Sequence, residues 1–110
     1  MTEIFIREAD WQSPADCSSV LKLIDAYALE PIEGGQPLPD FTRENLIAGL
    51  QSVSGAFVLL ACIESEAVGI AVCFRGFSTF AARPLINLHD LAVLPQFRRR
   101  GIGGRLLEAV

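Results

Sequence analysis

One stretch of this 110-residue chain concentrates the residue types that do chemistry: Leu88-His89-Asp90-Leu91-Ala92-Val93-Leu94-Pro95-Gln96-Phe97-Arg98-Arg99-Arg100-Gly101-Ile102-Gly103-Gly104-Arg105-Leu106-Leu107. It reads as a buried strand, a tight basic turn and a glycine-rich helix start. Glycine lets main-chain N–H groups approach a ligand closely. A helix N-terminus adds unpaired donors and a partial positive charge, so the two together make an anion site. Arg98, Arg99 and Arg100 strengthen the attraction for phosphate. Two common nucleotide loops do not fit. No lysine follows these glycines, as the G-x-x-x-x-G-K-[S/T] loop requires, and Leu106 stands where the third glycine of G-x-G-x-x-G belongs.

These residues need elements to hold them. Ile4-Phe5-Ile6-Arg7 alternates and is β-prone, which predicts a short first strand. Ser13 can cap a helix, Pro14 suits its first position, and Asp16 sits near the positive end of its dipole. Cys17, Val20, Leu21, Ile24 and Ala28 line one face of that helix, which runs to about Leu29 before Glu30-Pro31 stops it. Residues 31–40 hold three prolines and two glycines and form a loop. A second helix follows, with Thr42 as its cap and Leu46, Ile47 and Leu50 as its buried stripe.

Ala56 to Ile63 is a nearly unbroken apolar run, as expected of a strand covered on both faces. After a polar turn at Glu64-Ser65-Glu66, Val68 to Phe74 completes an antiparallel hairpin, which Phe77-Ser78-Thr79-Phe80 continues or frays. Arg83-Pro84 breaks it, and Leu85 to Leu94 is the next strand. The last helix begins near Gly101, packs Ile102, Leu106 and Val110 on the sheet, and ends without a stop signal, as if cut. The order is β-α-α-β-β-β-α, an α+β fold with a mixed, mainly antiparallel sheet.

The composition narrows the function. Nine basic and thirteen acidic side chains leave a net charge of −4, and 51% hydrophobic content marks a globular chain long enough for one small domain. Residues 1–97 hold five basic and twelve acidic side chains, whereas residues 98–110 hold four arginines and one glutamate. An acidic body with one basic spot excludes a nucleic-acid binder, whose affinity needs many distributed cations. It suits a single anionic ligand, with a cationic substrate drawn to the remaining surface. No apolar run reaches the roughly 18 residues of a membrane span, and Met1-Thr2-Glu3-Ile4 shows no leader. Cys17, Cys62 and Cys73 form an odd set without a C-x-x-C pair, which predicts free thiols in a reducing cytoplasm and no zinc site.

Arg98-Arg99-Arg100-Gly101-Ile102-Gly103 resembles the Q/R-x-x-G-x-G/A pyrophosphate motif of the GNAT superfamily of N-acetyltransferases. The Leu91-Ala92-Val93 strand end, the Leu94-Pro95 break, Phe97 and Leu106-Leu107 match its surroundings, as does the order of elements. The resemblance implies the α/β sandwich-like acyl-CoA N-acyltransferase fold, with residues 1–110 as one incomplete domain holding its N-terminal two-thirds. It implies an acetyl-CoA-dependent, metal-free N-acetyltransferase that moves an acetyl group to a primary amine by direct attack in a ternary complex. Main-chain groups of Leu91, Ala92 and Val93 would hold the pantetheine arm. Amides of Arg99, Arg100, Gly101, Ile102, Gly103 and Gly104 would hold the pyrophosphate, and Arg98 would shape the turn or touch phosphate.

In relatives an acidic side chain matching His89 or Asp90 acts as general base. Here the resemblance gives that place to His89, whose unperturbed pKa of about 6.5 suits the work. Asp90 points to the opposite face of an ideal strand and reads as an acceptor for turn or loop amides, so the two share a face only if the strand bulges. Glu30, Glu33 and Asp40 border the loop where relatives form one wall of the acceptor site. Trp11 and Tyr27 read as packing residues, and Phe57, Phe74, Phe77 and Phe80 as core and sheet-edge cover.

The family's fifth strand and the later helix, whose tyrosine serves as general acid, have no counterpart in these 110 residues. The fourth strand then keeps an unpaired edge, which invites a second copy or another chain segment to complete the domain. The alternative reading is a non-catalytic acyl-CoA-binding or assembly fragment. The expected partner is a small-molecule amine, cationic by the charge balance, with no nucleic acid and no membrane.

Overall fold

Two apolar runs separated by a short polar turn bury themselves most simply as neighbouring antiparallel strands. The computed structural model, which describes residues 3–110, shows that pairing. Met1 and Thr2, the start of the stretch read for a leader, lie outside the described residues. The elements are β1 (Ile4–Glu8), α1 (Pro14–Ala28), α2 (Asp40–Ser52), β2 (Ala56–Ile63), β3 (Glu66–Ser78), β4 (Arg83–Val93) and α3 (Ile102–Ala109). Short 3-10 turns stand at Pro31–Glu33 and Pro95–Phe97. The four strands form one antiparallel sheet in the order β1-β2-β3-β4, so the fold is α+β as expected.

The helices lie on both faces of the sheet. A Cβ on Gly69 of β3 would come within 3.2 Å of Ile102 and Leu106, so α3 rests directly on that spot. Phe74, five residues further along β3, faces the other way and meets α2. The core runs through β2 and β3, whose Val58, Leu60, Val68 and Ile70 are fully buried, as the unbroken apolar runs foretell. Ile102 and Leu106 of α3 are buried as the i, i+4 spacing predicts. No helix among the described residues is long and apolar enough to cross a membrane.

Helix α1 starts where its cap residues place it. Ser13 Oγ accepts from the Asp16 amide at 3.2 Å and Pro14 is the first helical residue. Asp16, however, is more than a dipole partner. It is only 4% exposed, accepts two 2.7 Å hydrogen bonds from the Arg7 guanidinium, and accepts the Asp10 amide at 2.8 Å. This bidentate pair ties β1 to α1.

Three local expectations are corrected. Helix α2 starts at Asp40 rather than after Thr42, because the Pro39 carbonyl accepts the Arg43 amide at 3.0 Å and serves as the cap without a side chain. Arg83 and Pro84 belong to β4, with Pro84 opposite Phe77; β4 is an edge strand, where a missing N–H is tolerated. Phe77, near the end of β3, is 62% exposed, and Phe80, in the turn between β3 and β4, is fully so, so neither covers the core or the sheet edge.

The Arg7 hydrogen bonds hold the Asp16 carboxyl below the usual carboxylate range, against its burial. A depressed carboxyl contributes stability above the ordinary carboxylate range and loses it as pH falls through the lowered value. Asp16→Asn should therefore cost about 2 kcal/mol in urea unfolding at neutral pH. The difference between variant and parent should shrink as the solution is acidified. An unchanged urea midpoint at neutral pH would show that the pair contributes nothing.

Candidate functional site

The site is built around the last five residues of β4. Asp90 pairs with Val72 but the next pair is Leu88 with Cys73, so His89 is an extra residue and the strand bulges there. A bulge breaks the strict alternation of faces. The His89 ring meets Phe74 edge-on, with centroids 5.6 Å apart, and His89 is itself exposed. Asp90 is half-buried beside Tyr27 of α1 and Glu33. Both side chains thus turn to the face that α1 and α2 cover, which an ideal strand forbids.

Burial pushes the Asp90 carboxyl up, with the negative charge of Glu33 adding to it and His89 opposing. Burial also raises the Tyr27 phenol, helped by Glu33 and Asp90. A desolvated carboxyl suits a general base. No amide donates to Asp90 among the described residues, which corrects its reading as an acceptor for turn or loop amides.

Along the outer edge of β4 runs a cavity of about 450 Å³. Leu91, Ala92 and Val93 form one wall, and Arg98, Arg99, Gly101, Ile102 and Gly103 close one end. Tyr27, Glu30 and Ile32 from the α1 side stand opposite. Arg100 and Gly104 do not line it: the Arg100 guanidinium lies 5.3 Å from the Phe97 ring centroid, and Gly104 is exposed on α3. Phe97 itself does line the cavity.

The turn after β4 leaves its amides free. The Phe97 amide donates to Leu94 at 2.9 Å, Arg98 to Pro95 at 3.3 Å, and Arg105 to Gly101 at 3.0 Å. Between them, the amides of residues 99–104 have no acceptor among the described residues. Gly101 caps α3 at φ +76° and Arg99 sits at φ +66°, so the chain doubles back without a side-chain cap. A Cβ on Gly101, Gly103 or Gly104 would meet nothing within 4 Å, so the space above this helix end is open. Unpaired donors around an open, concave helix start fit a diphosphate.

Arg98 is committed to the protein. Its Nε donates to the Val93 carbonyl at 2.9 Å and its guanidinium pairs with the Glu30 carboxylate. The end of β4, the turn and the end of α1 are thereby joined. The loop acids separate: Glu30 is in this pair, Glu33 stands by Tyr27, and Asp40 begins α2 away from the cavity. Among the described residues no cluster of three or more histidine, cysteine, aspartate or glutamate side chains could hold a metal ion.

Tyr27, Ile32 and Phe97 were not expected to line the cavity. Tyr27 does continue the α1 stripe, three residues after Ile24, but helical spacing does not say which strand end lies across from it. Ile32 is an apolar residue in a Pro/Gly loop with 90% exposure, and that mismatch was its only signal.

An antiparallel sheet covered by helices on both faces, with an open turn after its fourth strand, defines the class as an α+β domain. A family model described as the acetyltransferase (GNAT) family matches residues 20–110, and the chain belongs to that family. An uncharacterized N-acetyltransferase of Archaeoglobus fulgidus is 44% identical over 92 residues, covering 77% of this chain and 63% of that protein. The chain thus spans less than two thirds of that relative's length. A soil-metagenome aminoglycoside acetyltransferase, solved in complex with sisomicin, superposes with TM-score 0.75 at 24% identity, covering 96% of this chain and 66% of its own. A ribosomal-protein-alanine N-acetyltransferase from Brucella melitensis gives TM-score 0.77 at 15% identity, covering 97% and 68% respectively. At such identities the two solved structures show a shared fold.

The glycines of the turn separate by substitution. Gly101→Ala forces a side chain into a left-handed φ and should lower stability by about 1 kcal/mol. Gly104→Ala, in open space within α3, should raise it by about 0.5–1 kcal/mol through helix propensity. Thermal melting of both variants checks the pair, and equal effects would refute the conformation assigned to Gly101.

Proposed function

We propose that this chain is an acetyl-CoA-dependent N-acetyltransferase that modifies a small-molecule primary amine by direct attack within a ternary complex. The observation that carries the reading is the cavity on the free edge of β4, with the unpaired amides of Arg99, Gly101, Ile102 and Gly103 at one end. The free strand edge along Leu91, Ala92 and Val93 offers its outward-facing main-chain groups, other than the Val93 carbonyl held by Arg98, to an extended amide-bearing arm. The amides from Arg99 to Gly104 take the diphosphate, with Arg99 and Arg100 supplying charge that Arg98 has given to Glu30. Acetyl-CoA supplies, when bound, an acyl group activated as a thioester.

The remaining work falls to the bulge. Asp90 takes the proton from the incoming ammonium, and burial has moved its carboxyl toward the range where that transfer is efficient. His89, next to it and open to solvent, carries the proton away. His89 and Asp90 therefore act as one relay, and the bulge is what lets them. Three unbridged cysteines, Cys62 and Cys73 buried and Cys17 half-buried, suit a reducing compartment, and we place the protein in the cytoplasm.

Acetyl-CoA should raise the melting temperature, since a ligand that binds only the folded state stabilises it. Gly103→Val should abolish that rise, because its side chain projects into the open cradle without touching the fold. Asp90→Asn should lower kcat by at least about a hundredfold. In the parent enzyme kcat should fall on the acid side of the raised Asp90 pKa as its carboxylate is protonated. A Gly103→Val protein that acetyl-CoA still stabilises fully would overturn the assignment of the turn.

A further inference from the structure

We infer that the acceptor is a primary amine bearing an alkyl or aromatic group, seated in the groove between α2 and β3. This rests on the reading of β4 as the acetyl-transfer site. The groove has a volume of about 350 Å³ and is walled by Phe41, Leu46, Gly49, Leu50, Val53 and Phe74, with Thr42 and Asn45 as its polar members. Its Phe74 wall adjoins the relay. Phe74 carries the His89 ring edge-on at 5.6 Å, and the bulge sets Asp90 immediately beyond His89 on the same face. A molecule lying along β4 would thus place its amine at Asp90 and its other end against Phe74.

The two ends differ in the chemistry they accept. Asp90, Glu33 and the Tyr27 hydroxyl gather at the head, where they suit one ammonium group. Among the described residues no charged side chain lines the groove, so a second cationic group entering it would be desolvated without a partner. An apolar tail has the opposite balance, since it removes from water Phe41, which is 76% exposed, and Val53, which is 45% exposed. The groove therefore selects a monocation with an apolar tail over a polyamine or a polycationic sugar.

The test measures binding of primary amines to CoA-saturated protein, by calorimetry and thermal shift. From ethylamine to hexylamine the affinity should rise by up to about fourfold per methylene. Phenethylamine should bind more tightly than ethylamine, and spermidine should not. Gly49→Leu fills the groove, since a Cβ there meets nothing within 4 Å and leucine is the better helix former, so the length dependence should vanish. Phe41→Ala should weaken it. A flat series in a protein that CoA still stabilises, or a slope that neither variant changes, refutes the groove and leaves the acetyl-transfer reading standing. Concentration-dependent dimers that Gly49→Leu abolishes would assign the groove to a second copy and refute the proposal. Absence of any CoA stabilisation would sink the acetyl-transfer reading, and this inference with it.

Discussion

The constraint on which the rest depends is that β4 must pair on one side only. Its bond to β3 runs from Arg83 to Val93, while its other edge faces the cavity. A strand bonded on both sides along Leu91 to Val93 would have no peptide groups to offer a ligand. A strand bonded on neither would not hold its line. Edge strands are ordinarily blunted against association, and here Pro84 and the bulge at His89 interrupt the regular edge. The bulge also redirects His89 and Asp90, so a single irregularity both breaks the edge and assembles the titratable pair.

Electrostatics then divide the site into two ends. Arginine is the residue most suited to phosphate, yet the one nearest the strand is neutralised by Glu30. That pairing costs one phosphate ligand and gains rigidity, because Arg98 also holds the Val93 carbonyl at 2.9 Å. Anion recognition is left to main-chain amides, whose positions depend on the backbone and not on a long flexible side chain. At the opposite end, burial raises both the Asp90 carboxyl and the Tyr27 phenol, and the nearby Glu33 charge adds to each. The acidic and basic ends are thus separated along a few residues of one strand.

Much of this was legible in the sequence. Apolar runs located β2 and β3, and the Ser13-Pro14 start located α1, because burial and capping are local signals. The glycine-rich turn after Val93 was legible because open amides need glycine nearby. Three features were not. The bulge depends on the register between β3 and β4, which no single strand records. Arg98 with Glu30 spans 68 residues of chain, and Asp16 with Arg7 joins two elements, so nothing in local spacing marks either pair. The exposure of Phe77 at the end of β3 and of Phe80 in the turn after it depends on where the strand stops, whereas their composition alone resembles core.

The last link between fold and site is the seat of α3. Its first turn carries the open amides, so the direction of those N–H groups is the direction of the helix axis. That axis is fixed by Ile102 and Leu106, both fully or almost fully buried, resting on the missing side chain of Gly69 and the small Ala61 beside it. A larger residue at Gly69 would meet Ile102 and Leu106 at 3.2 Å and lift the helix. The amides would then rise away from Val93 while the strand edge stayed in place. A glycine on the strand next to the cavity edge, opposite Val93, therefore sets the angle between the two surfaces that a single extended ligand must touch at once.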